Sequence, residues 1–252
     1  MRTAVITGAS SGLGRELVRQ IAREFPEVEC FWLIARREQR LRELAGELGA
    51  RKVYCMALDL CDEKSFETIA EQLREEQPEI TLLVNNAGCG YLGNIADSTM
   101  DRQTTMTKLN VTALTAMTSL CLPYMPRGAH IINISSIASF CPNPRLTVYS
   151  ATKFYVSAYS RGLGVELRDR GITVTAICPG PMATEFVEVG GITGNSPQFE
   201  RLPYCDPAKV AHGAVLAAKA GRAVYTPTAF YKFYRFAAKV VPQRWMIKAT
   251  GT

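Results

Sequence analysis

Seven short apolar runs, rich in β-branched residues, alternate with amphipathic helical stretches along most of the chain, and few architectures accept that order. The runs fall at 3–7, 28–35, 52–59, 80–86, 129–136, 172–178 and 223–227. Helical periodicity fills 13–25, 36–48, 63–77, 97–120, 148–170 and 207–220 between them. Strands that are nearly continuous in apolar residues must be covered on both faces, and parallel neighbours need a crossover long enough to hold a helix. The pattern predicts an α/β fold, doubly wound, with a mainly parallel seven-stranded sheet and a single domain over 1–227. Residues 181–205, which include Gly190-Gly191, break the rhythm and read as a loop or lid over a site. Residues 228–252 form a basic, aromatic tail, part of the same domain or a peripheral arm.

Composition removes several classes. With 252 residues, 47% of them hydrophobic and 21% charged, the chain can build a packed core and is not a disordered polymer. No apolar run approaches the roughly 18 residues that span a bilayer. The first strand begins two residues after Met1, so no secretory leader is expected. Eight cysteines stand singly, several inside apolar runs, with no CxxC pair, so the expectation is free thiols in a reducing cytoplasm. His130 and His212 lie far apart without ligand-spaced partners, and no metal site is expected.

Chemistry begins where the first strand ends. Thr7-Gly8-Ala9-Ser10-Ser11-Gly12-Leu13-Gly14 leads directly into a helix. Glycines in such a turn let the backbone approach a pyrophosphate, whose charge is favoured at the helix N-terminus. A dinucleotide site that prefers NAD(H) carries an acid at the end of the second strand, for the ribose hydroxyl. Here Ala35 is followed by Arg36 and Arg37, suited to a 2′-phosphate, so NADP(H) is the expected cofactor. Asp59-Leu60 closes the third strand, and the fourth runs into Asn85-Asn86-Ala87-Gly88. Both lie at strand C-termini, where an open sheet forms its ligand crevice.

Tyr149 and Lys153 stand at i and i+4 near the start of a long helical pattern, on one face. A phenol near pKa 10 is a poor acid or base at neutral pH, and a neighbouring ammonium is expected to shift it downward. Thirteen residues before the tyrosine, at the end of the fifth strand, Ser136 is available to hydrogen-bond a substrate oxygen. Its neighbour Ser135 should face the other way along the strand.

Taken in order, TGASSGLG at 7–14, Asp59, NNAG at 85–88, Asn110 in KLNVTA, Ser136, YSATK at 149–153 and PGPMAT at 179–184 resemble the short-chain dehydrogenase/reductase family, in its compact single-domain branch. The resemblance implies a Rossmann fold and an NAD(P)-dependent oxidoreductase acting on CH–OH groups. It also implies roles: Tyr149 as general acid/base, Lys153 lowering its pKa and holding the nicotinamide ribose, Ser136 polarising the carbonyl, and Asn110 anchoring a water in a proton relay. Pro179, Gly180 and Thr184 would contact the nicotinamide, and a homodimer or homotetramer built on the helix of Tyr149 is expected.

Family specificity is expected in 137–146 and 182–204. Phe140, Cys141, Met182 and Phe186, with Tyr91, Val187, Val189, Ile192, Phe199 and Leu202, offer apolar lining. They suit a bulky apolar ketone or secondary alcohol, hydroxysteroid-like, better than a sugar. Rival readings are a β-ketoacyl thioester reductase and a non-catalytic NADP-binding sensor, which need not keep Asn110, Ser136, Tyr149 and Lys153 together. An extended-branch epimerase or dehydratase fits poorly with this length and glycine spacing.

The net charge of +6 has an address. After Asp206 the chain carries eight Lys and Arg and no acid, whereas residues 1–206 hold 21 basic against 23 acidic side chains. Nucleic-acid binding therefore lacks support in the catalytic domain. In the tail, Lys232, Arg235 and Lys239 fall at helical spacing among Phe and Tyr. Two readings stand: peripheral contact with an anionic membrane, or an arm that closes the pocket or meets a second subunit, with the arm preferred.

Overall fold

The computed structural model describes residues 1–192 and 194–249, so Thr193 of the expected lid and residues 250–252 of the tail lie outside it. The seven apolar runs become β1 (Arg2–Thr7), β2 (Cys30–Ala35), β3 (Lys52–Ala57), β4 (Glu79–Asn85), β5 (His130–Ile134), β6 (Thr173–Ile177) and β7 (Val224–Tyr225). Every pairing among them is parallel, in the order β3-β2-β1-β4-β5-β6-β7. The connections run outward in opposite directions from β1 and β4, so the crevice opens at the C-terminal ends of these two strands.

Alternation along each strand sorts the core into two layers. Ala4, Ile6, Phe31, Leu33, Leu82, Val84 and Ile132 meet α1 (Gly12–Glu24), α2 (Glu38–Gly46) and, further along, the helix at Pro207–Lys219. Val5, Trp32, Ile34, Leu83 and Ile131 meet α3 (Lys64–Glu76) and the middle helices on the other face. Burial on both faces is what near-continuous apolar strands require.

The pattern at 97–120 is not one helix. It divides into a 3₁₀ turn at Ile95–Asp97, α4 (Met100–Thr107), a π-helical turn at Lys108–Thr112 and α5 (Ala113–Cys121). Such widened turns cluster at functional positions, and this one carries Asn110. Then follow α6 (Thr147–Glu166) and, inside the expected lid, the short α7 (Glu185–Val189) and α8 (Pro197–Glu200). The chain continues through α9 (Pro207–Lys219) to α10 (Ala229–Val240) and α11 (Gln243–Ala249) in the tail. Among the described residues, no helix is long and apolar enough to cross a membrane.

Candidate active site

The turn after β1 is stapled to the turn after β4. Thr7 Oγ1 accepts hydrogen bonds from the backbone N–H groups of Asn86 and Ala87, each at 3.0 Å. Asn86 Nδ2 donates back to the carbonyls of Thr7 and Gly8 at 3.0 and 3.1 Å. A side chain at Gly14 would place its Cβ 2.1 Å from the Gly8 carbonyl oxygen, so only glycine allows this closure. Ser11, ahead of α1, makes no side-chain cap to the helix, which leaves the amides of the first turn to serve an anion.

Arg36 and Arg37 follow β2 at the same crevice, both exposed. Arg37 Nη2 donates to Ser10 Oγ at 3.4 Å, and its Nη1 pairs with Glu185 at 2.7 Å. Arg40 pairs with the same carboxylate, and Arg40 and Arg37 together hold Glu185 below the ordinary carboxylate range. Every residue assigned above to the cofactor lines one cavity of about 680 Å³, including Asp59, Leu60, Gly88, Pro179, Gly180 and Thr184. The glycine cradle, open helix terminus and paired arginines fit a phosphorylated dinucleotide.

At the other end of this cavity α6 presents Tyr149 and Lys153. Lys153, only 5% exposed, donates from Nζ to the Ile134 carbonyl at 2.9 Å and stands 5.6 Å from the Tyr149 ring centroid. Burial pulls its ammonium down to about 8. The Tyr149 phenol moves opposite to the sequence expectation: burial pushes it up to about 12, partly offset by the Ser136 hydroxyl. The reason is geometric, because the ammonium is turned to the Ile134 carbonyl and burial governs the phenol.

Ser135 does point away, its hydroxyl donating to the Lys153 carbonyl at 2.9 Å, so that it fixes α6 against β5. Ser136 Oγ, in the cavity wall, accepts from the Ala138 N–H at 3.1 Å. Asn110 stands behind the wall, 1% exposed. Its Oδ1 accepts from the Cys89 N–H at 2.9 Å, and its Nδ2 donates to the Cys89 carbonyl at 2.8 Å and to Thr152 Oγ1 at 3.0 Å. Both ends of that side chain hold the turn beneath Gly88. Cys89 also lines the cavity, but burial pushes its thiol up to about 11, which leaves no thiolate nucleophile near neutral pH.

Met182 and Phe186 reach the cavity, and the Phe186 ring lies 5.6 Å from that of Tyr149. Phe140 and Cys141 do not line it. The 3₁₀ turn at Ile137–Ser139 carries the chain away from the wall, so that Phe140 packs on Tyr234 instead, at 6.3 Å between centroids, and Cys141 is fully buried.

One contributor, Glu185, was not singled out by sequence reasoning; it directly follows the proposed contact Thr184, and nothing else in the sequence signals its pairing with Arg37 and Arg40. The tail does reach the cavity, as the preferred arm reading expected: Phe230, Tyr231 and Tyr234 of α10 close one side of it. Tyr231 is fully buried, donates to the Pro203 carbonyl at 2.6 Å, and lies so close to Gly180 that a Cβ there would meet its ring at 2.2 Å.

Known proteins resemble this chain in sequence and in fold. A family model described as short chain dehydrogenase matches residues 2–190. Sulfoacetaldehyde reductase 2 of Chromohalobacter salexigens is 36% identical over 197 residues, 74% of this chain and 76% of the relative. Among solved structures, a short-chain dehydrogenase from Sphingobium yanoikuyae in complex with NADPH superposes with a TM-score of 0.82 at 28% identity, covering 98% of this chain and 95% of that one. The bulky-bulky ketone specific alcohol dehydrogenase from Comamonas testosteroni gives 0.77 at 25% identity, covering 99% and 94%. The chain belongs to the short-chain dehydrogenase/reductase family of oxidoreductases.

Proposed function

We propose that this protein is an NADP(H)-dependent enzyme that interconverts a ketone and a secondary alcohol on a bulky, apolar, hydroxysteroid-like substrate. The observation that carries this reading is the single cavity. It runs from the glycine turn and Arg36–Arg37 to Tyr149, Lys153 and Ser136. A bound nicotinamide supplies or accepts hydride at the carbonyl carbon. The chain's own residues hold and protonate the oxygen: Ser136 orients it, and Tyr149 exchanges its proton. Lys153 keeps positive charge beside the phenol. The Asn110 side chain is fully used by Cys89 and Thr152, so any part it takes in a proton relay falls to its main chain.

Apolar substrate chemistry is supported by Leu146, Met182, Phe186, Ile192, Leu202 and Phe230 in the cavity lining. The name of the Comamonas testosteroni structure points the same way for bulky ketones. Arg201, exposed at the rim, favours one second reading, a β-ketoacyl thioester whose carrier phosphates it would meet. The eight free cysteines support a reducing, cytoplasmic compartment. A homo-oligomer through α6 is supported by the exposed Tyr155 and Val165 there.

The test is turnover of steroid, aromatic and ketoacyl-thioester substrates with NADPH and NADH at matched low concentrations. Steroid or aromatic ketones should turn over faster with NADPH. Tyr149→Phe should lower kcat about 100-fold or more while NADPH binding stays nearly intact. Faster turnover with NADH, or an active Tyr149→Phe, removes the corresponding assignment.

A further inference from the structure

The tail is only half explained by its contact with the cavity. On α10, Tyr231 and Tyr234 face inward. Phe230, Phe233, Phe236 and Val240 face out, 51%, 70%, 61% and 63% exposed, and Trp245 on α11 is 60% exposed. Positions 230, 233, 236, 237 and 240 share one side of a helix, and the exposed Lys232 and Lys239 form the ridge beside it. Isolated apolar side chains are ordinary on a surface, but five large ones on two consecutive helices are not.

We propose that this outer face of α10 and α11 docks on an anionic lipid surface. Charge complementarity commits the occupant: the exposed Lys232, Lys239, Arg244 and Lys248 flank the apolar stripe, whereas Arg235 turns inward over the Phe140 ring, and no acidic residue follows Asp206. An apolar stripe flanked by cations is the composition of a helix lying in the interface, its aromatic side chains at the acyl boundary and its cations among the headgroups. A second copy of the chain would bring the same cations together.

Docking in this way has a consequence for the cavity. Phe230 belongs both to the exposed stripe and to the cavity wall, and Tyr234 lies one turn on. The cavity mouth is therefore set against the lipid, and an apolar ketone reaches Tyr149 from the membrane rather than through water. This last step rests on the apolar-ketone reading; the docking itself does not.

Flotation of the full-length protein with vesicles tests the docking. Phosphatidylglycerol–phosphatidylcholine vesicles should carry it up at low salt, and pure phosphatidylcholine should carry at least tenfold less. Phe233→Ser with Phe236→Ser, and separately Lys232→Glu with Lys239→Glu, should each lower binding at least tenfold. None of these residues lines the cavity, so turnover of a water-soluble ketone should be unchanged. Absence of flotation at low salt overturns the proposal. So does flotation that survives both double variants, or a dimer in sedimentation velocity that the Phe variants dissociate. A parent protein that floats but turns over no ketone would instead remove the catalytic reading and leave the docking standing.

Discussion

Lys153 gives the sharpest test of the site, because its chemistry and its stability effect should have opposite signs. Its ammonium is 5% exposed, and burial lowers its pKa from 10.5 to about 8. That difference corresponds to about 3 kcal/mol of penalty on the charged form in the folded protein. Lys153→Met keeps the length and apolar stem but removes the charge. It also removes the 2.9 Å bond to the Ile134 carbonyl, which costs about 1 kcal/mol. The variant should therefore be more stable than the parent by about 2 kcal/mol at pH 7, while turnover falls about 100-fold or more.

The pH dependence follows from the direction of the shift. Below about 8 the lysine is charged in both folded and unfolded protein, and the penalty is fully present. Between about 8 and 10.5 the unfolded chain binds more protons than the folded one, so the parent gains stability as pH rises. The advantage of the methionine variant should shrink over that window. Urea unfolding of both proteins, without added cofactor, at pH 7 and pH 9.5 measures it. A variant less stable than the parent at pH 7, or equally advantaged at both pH values, would refute the reasoning.

Three further outcomes are expected. Glu185→Gln releases Arg37 and Arg40 from exposed ion pairs worth at most about 1 kcal/mol each, so NADPH affinity by fluorescence titration should rise about 2–5-fold and NADH affinity should not change. Gly14→Ala forces a Cβ to 2.1 Å from the Gly8 carbonyl and should abolish cofactor binding and lower Tm, as seen by thermal melts with and without NADPH. Tyr231→Phe removes the hydroxyl bound to the Pro203 carbonyl and should lower Tm by about 2–4 °C, for a loss of about 1 kcal/mol.

The strands were legible because each is a short apolar run bounded by polar turns, and their C-termini carried the glycine, NNAG and serine signals together. Less visible was the interruption at Asn110. Its neighbours keep helical periodicity from 97 to 120, and a π-helical turn widens the backbone without disturbing which residues are apolar. Phe140 and Cys141 were misassigned for a related reason. Apolar character after Ser136 does not report that a 3₁₀ turn rotates the next residues toward α10. The Tyr149 shift was read from spacing alone, which places a charge nearby but says nothing of the carbonyl that captures it. Tyr231 could not be told from Phe230 in an aromatic tail, because only the fold sends one ring against Gly180 and the other outward.

These gaps share a pattern that bears on how the site is built. The reacting groups sit on elements tied by buried polar bonds: Ser135 links β5 to the Lys153 carbonyl, and its hydroxyl lies 2.8 Å from that of Ser157, which bonds Ser139. Asn85 Nδ2 reaches both Thr118 and Asn133, tying β4 to α5 and β5. Such bonds are costly to break when no water can replace them, so α6 is held to the sheet at the level of the chemistry. The walls that choose a substrate come instead from α7, α8 and α10, which contribute side chains to the cavity without belonging to that network. Changes in Met182, Phe186 or Phe230 should therefore alter which ketone is accepted while leaving the Tyr149–Lys153 geometry in place. Changes at Ser135 or Ser157 should lower turnover of every substrate alike.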